Sequence, residues 1–160
     1  MNAGSPDQRS DPGSSGDPRA AARAIDALRR GWAIAVTVDR AGSSVTLFLQ
    51  AIENAPEGVA ERAQGLLLSG NRAATLKLAN QLHAASAGDP VQISAPADLT
   101  CVLALAIADP VLDMAYPMKG PFVACALTDP AVARAAIELA RLAGLLPAFY
   151  VLDQEPEDVT

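Results

Sequence analysis

The chain has 160 residues, of which 51% are hydrophobic and 19% charged, and its formal net charge is −6. That length suits one domain with a core of its own. An acidic chain is a poor nucleic-acid binder because it cannot neutralise phosphates. With one histidine and two cysteines, it has too few ligands for a Cys/His zinc cluster and cannot run a mechanism needing two histidines.

The acidity is uneven. Asp153, Glu155, Glu157 and Asp158 crowd the last eight residues without a base, and Asp7, Asp11 and Asp17 outnumber Arg9 and Arg19 at the start. Between these ends stand ten bases and eleven acids, so the middle is nearly neutral. Residues 1–17 are rich in Gly, Ser, Pro and Asp and hold no apolar run, which predicts a disordered N-terminal tail and excludes a secretory signal. The expected organisation is that tail, a domain over 18–152, and an acidic tail over 153–160. No stretch of about 18 uninterrupted apolar residues occurs, so no membrane span and a cytoplasmic location are expected. Cys101 and Cys125 form no close-spaced pair and read as two buried thiols.

In chain order, Asp17-Pro18 opens a helix in which Ile25, Leu28 and Trp32 recur at helical spacing and Gly31 suits the cap. Strands follow at 32–38 and 44–50, joined by a turn over Asp39–Ser43. Pro56 to Gln64 reads as a short helix, 65–69 as a strand, and Asn71 to about Ala85 as a helix. A strand at 91–94 precedes a helix over Asp98–Ala108, stopped by Asp109-Pro110. Residues 111–120 have no clear period and read as loop. A strand at 121–127, a helix from Asp129-Pro130 to Ala143 closed by Gly144, and a strand at 148–152 complete the chain. The alternation predicts an α/β fold, with α+β as the alternative, and a mixed sheet covered by helices. The continuous apolar strands fit a sheet buried on both faces.

Three segments carry a resemblance. AIDALRRGWAIAVTVD (24–39), QISAPADLTCVLALAIADP (92–110) and ARAAIELARLAGLLPAFYVL (133–152), taken in order, resemble 3,4-dihydroxy-2-butanone 4-phosphate synthase, the riboflavin-pathway enzyme that acts on ribulose 5-phosphate. The run ELARLAGLLPA is the most specific of them. The departures from that pattern matter more than the matches. Where the synthases carry an acidic loop that holds a divalent metal and the phosphosugar, this chain reads Asp39-Arg40-Ala41-Gly42-Ser43 and keeps one carboxylate. The hard cation of that site needs several oxygen ligands. The His and Glu of the synthases' His-Thr-Glu motif fall at Val132 and Arg134, and their phosphate-contacting Arg falls at Leu99.

The chain is more similar to the degenerate synthase-like domain at the N-terminus of some bacterial GTP cyclohydrolase II proteins, in which LLLSGNRAATLKL (66–78) also fits. The resemblance implies a catalytically inactive domain without metal or cofactor, acting as a homodimer or by association with a GTP cyclohydrolase II catalytic domain. That catalytic domain uses a zinc held by three cysteines, which Cys101 and Cys125 do not match, so this chain by itself is not expected to open GTP. The alternative reading is a phosphosugar or nucleotide binder, or an altered enzyme, that uses a remnant pocket of Asp39, Arg40, Ser94 and Asp98, with Arg40 contacting a phosphate. Asp39 and Arg40 read otherwise as a solvated turn, and Asp98 as a helix cap. His83, in a predicted helix, reads as an ordinary surface or core residue. Arg134, Glu138 and Arg141 form one charged helix face that by its pattern needs no site.

Overall fold

A computed structural model describes residues 17–40, 42–78, 81 and 88–153. His83, residues 1–16 and 154–160, and the Arg40 side chain lie outside what is described. Among the described residues, helices and strands run in the order α1 (Pro18–Arg29), β1 (Ile34–Arg40), β2 (Ser43–Ala51), β3 (Ala63–Leu68), α2 (Gly70–Thr75), β4 (Val91–Ser94), α3 (Cys101–Ala108), β5 (Ala124–Cys125), α4 (Pro130–Ala143) and β6 (Ala148–Leu152). Short 3-10 helices cover Ala60–Arg62 and Pro110–Asp113.

The helix ends follow local chemistry. The Asp17 carboxylate accepts from the Arg19 amide with Pro18 behind it, and the buried Asp129 carboxylate accepts from the Ala131 and Val132 amides with Pro130 behind it. Gly144, at φ +77°, closes α4 in the left-handed conformation that glycine adopts without strain. Ser69 and Thr100 cap α2 and α3.

The strands form one six-stranded sheet, ordered β1-β2-β6-β3-β4-β5 and antiparallel at each pairing. The molecule is therefore α+β with an antiparallel sheet, where a mixed one was expected. Apolar continuity reports that both faces of a strand are covered and carries nothing about its direction.

At its centre the sheet is covered on both faces, as anticipated. β6 is buried along its whole length. Its Phe149 and Val151 pack with Leu67, Leu47 and Leu49 beneath α1 and α4, and its Tyr150 and Leu152 pack with Leu66, Leu68 and Ile93 beneath α2 and α3. A fully buried side chain of this size contributes on the order of 2 kcal/mol. The two helical layers are offset. The β1–β2 end is bare on the α2/α3 side, where the Thr37 and Thr46 hydroxyls pair at 2.8 Å in the open.

Several boundaries differ from the sequence reading. Ala60–Arg62 is one 3-10 turn rather than a helix over 56–64, because β3 already begins at Ala63 to pair with Leu152. α2 stops at Thr75 rather than continuing past 80, and Lys77 sits at φ +59°, off the helical path. α3 begins at Cys101 with Thr100, not Asp98, as its cap. β5 is two residues long rather than seven, since it pairs only with Gln92 and Ile93. Cys101 is exposed and Cys125 half-buried, so neither is the core thiol expected.

Candidate functional site

Asp39 is exposed near the end of β1 opposite Ser44, and the Arg40 backbone pairs with Ser43. Ser94 is exposed at the end of β4 opposite Gly65, and its amide donates to Val123 O at 3.0 Å. Asp98 is exposed in the turn before α3. Because neighbouring strands run in opposite directions, the ends of β1 and β4 share one edge of the sheet. Three strands separate them, however, a span of about 19 Å at the usual strand spacing. Ser94 and Asp98 belong to one connection, and the strand order does not bring Asp39 to them.

The positions equated with synthase ligands are absorbed into packing. Val132 is buried in the layer under α1 and α4, and Leu99 is buried in the layer under α2 and α3. Arg134 donates from Nε and Nη2 to both oxygens of Asp89, at 2.7 and 3.0 Å. The divalent cation of the resembled enzymes does not fit these residues. Asp39 stands on the hairpin without a second carboxylate between Ile34 and Ala51, and among the described residues no three His, Cys, Asp or Glu side chains converge.

A cleft lies elsewhere, against α4. Its volume is about 440 Å³, and Gly70, Asp89, Arg134, Ile137, Glu138 and Arg141 are among the residues that line it. Gly70 shapes its wall: a Cβ there would sit 2.1 Å from Gly88 O, so only glycine lets the 88–90 segment close on the start of α2. The two hydrogen bonds from Arg134 hold the Asp89 carboxyl below the ordinary carboxylate range against the opposing effect of burial, and Asp89 in turn raises Arg134. Arg141 approaches Glu138 at 3.5 Å. Such a lining is suited to binding a charged molecule by exchanging ion pairs. Arg134, Glu138 and Arg141 share one helix face by their spacing, but Asp89 joins them from a turn 45 residues earlier, which no local pattern signals.

The second polar cluster escaped the sequence reading altogether. Arg72, the Arg of the segment 66–78, is buried at 5% exposure. Its Nε donates to Ile107 O at 2.6 Å, and Nη2 donates to Ala106 O at 3.2 Å, carbonyls at the C-terminal end of α3. Nη1 and Nη2 also grip both oxygens of Asp113, at 2.8 and 2.7 Å. The Lys119 ammonium binds the same carboxylate from the far end of the loop. Arg72 first and Lys119 second hold the Asp113 carboxyl far below its usual range. A guanidinium fork suits this task because it satisfies helix-end carbonyls and a carboxylate at once.

No family model matches the chain, and no curated protein matches it. No helix among the described residues is long and apolar enough to cross a membrane.

Proposed function

We propose that the chain is a non-catalytic synthase-like domain of the riboflavin pathway, acting in the cytoplasm by association with itself or with a GTP cyclohydrolase II. One observation supports this reading. The three positions that the resemblance aligns with the synthases' functional residues are engaged otherwise: Leu99 and Val132 in the two cores, and Arg134 in an ion pair with Asp89. A general acid or base alone is worth about 10²–10⁴-fold in rate, and the metal's Lewis acidity adds to that. Incubation with ribulose 5-phosphate and Mg²⁺ should therefore yield no dihydroxybutanone phosphate, and its formation would overturn the reading. Association is tested separately by light scattering, where a monomer that also fails to bind a cyclohydrolase II domain counts against it.

The cleft beside α4 favours a second reading, a site for a small charged ligand such as a phosphosugar or nucleotide. Arg134 and Arg141 line it together, and its volume falls within the usual range of ligand pockets. A thermal-shift panel of these compounds tests it. A ligand present at 100 times its dissociation constant adds about 2.7 kcal/mol, and no shift from any member removes this reading.

A further inference from the structure

Between Pro110 and Val123 the chain turns apolar side chains outward. Val111 is 82% exposed, Met114 93%, Tyr116 40%, Met118 94% and Val123 62%. Five exposed apolar residues within thirteen concentrate more bare apolar surface than singly scattered residues do, and such concentrations mark interaction sites.

The segment is firmly held beneath that surface. Asp113 and Lys119 flank Met114–Met118 and bind each other directly, while Arg72 grips Asp113 from below. The Lys119 side chain is only 6% exposed. The Tyr116 amide donates to Leu112 O at 2.9 Å, and the Gln81 side-chain amide clamps Phe122 O at 2.9 Å and the Ala124 amide at 2.6 Å. Covering side chains that stand on so fixed a frame loses little further conformational freedom.

Charge selects the occupant. Asp113 and Lys119 are the only charged residues between Pro110 and Val123, and both are tied into the ion-pair cluster with Arg72 inside the frame. The surface above them is uncharged in a chain of net charge −6. A two-fold contact brings each patch against its own copy, which suits a neutral apolar surface and would penalise a charged one.

We propose that Val111, Met114, Tyr116, Met118 and Val123 form a two-fold interface that receives a second copy of this chain. The proposal rests on the self-association reading above and gives it a location.

Light scattering of the full chain at concentrations on the order of 100 µM supplies the test. The wild type should be a dimer. The double variant Met114→Lys/Met118→Lys should be a monomer with an unchanged circular dichroism spectrum, its self-affinity weakened at least about 100-fold. Trp32→Glu, at an exposed apolar residue outside the segment, should remain dimeric. A wild-type monomer overturns both the interface and self-association. A dimeric Met114→Lys/Met118→Lys variant overturns the interface and leaves self-association standing. A readout independent of substitution is hydrogen exchange of the wild type: amides of 111–123 should gain protection as concentration rises across the dimerisation range. Unchanged exchange there also overturns the interface.

Discussion

Arg72 joins three parts of the chain through a single side chain. Its fork satisfies carbonyls of Ile107 and Ala106 and both oxygens of Asp113, so truncation takes a donor from the end of α3 and leaves Asp113 to Lys119. Arg72→Ala should cost on the order of 3 kcal/mol, and Arg72→Lys should recover only part of it because a point charge cannot reproduce the fork. Urea denaturation checks both, and a loss below about 1 kcal/mol would show that the cluster is not what holds α3 to α2. Tyr150 is the converse case. Its hydroxyl is buried and finds no hydrogen-bond partner among the described residues. Burial first, and the neighbouring Cys101 thiol second, raise it well above the ordinary phenol range. Tyr150→Phe should therefore be neutral or stabilising at pH 7, since it removes an unsatisfied polar atom from the core. The ordinary phenol titrates near pH 10. Above it the unfolded chain ionises while the folded one resists, so wild-type stability should fall as pH rises past about 10, and Tyr150→Phe should flatten that fall. Neither residue announced its role in the sequence. Arg72 reads as part of a helix motif and Tyr150 as one apolar position of a strand, because the groups that surround their polar ends lie more than 30 residues away.

At the scale of elements, the ends of α4 were legible and those of α2 were not. Asp129-Pro130 and Gly144 are local signals, and the helix runs between them. Asp129→Ala should cost about 1–2 kcal/mol because its carboxylate serves two amides of the first turn; a thermal melt reads the loss. The start of α2 depends on a contact instead. Gly70→Ala would drive a Cβ into Gly88 O, and the 88–90 turn would have to move. A destabilisation of at least about 2 kcal/mol is expected, measurable by denaturant titration, and a neutral result would show that the turn yields freely. Acid should act on the same connections. Asp89 and Asp113 are both held below their ordinary range, so their contributions are present above about pH 4 and lost as pH falls below it. Asp113→Asn should flatten the acid limb of a stability–pH profile. The two-residue β5 shows why strand length was overestimated: seven apolar residues satisfy the pattern, but only Ala124 and Cys125 enter the ladder with β4.

For the whole molecule, the two helical layers explain what the sequence could not place. α1 and α4 cover one face and α2 and α3 the other, offset along the sheet, so Asp39 stands on the bare hairpin end and Ser94 four strand positions away. Of the residues expected in one pocket, Asp39 and Arg40 stand on the hairpin and Ser94 and Asp98 on the connection after β4, while Arg134 and Arg141 line a cleft against α4. That separation places the test of ligand binding at α4: Arg134→Ala should abolish any phosphosugar-induced thermal shift, while Ser94→Ala should leave it unchanged. A shift lost only in Ser94→Ala would return the site to β4.

The sequence by itself determined the caps of α1 and α4, the two-sided burial of β6 and β3, and the single carboxylate between Ile34 and Ala51. Each of these depends on the identity of a residue and its near neighbours. Strand direction and order, the reach of β5, the Arg72–Asp113–Lys119 frame, the Asp89–Arg134 pair and the outward apolar surface over 111–123 were decided by tertiary structure. These depend on which distant segments share a face of the sheet, and a pattern of local periodicities contains no record of that.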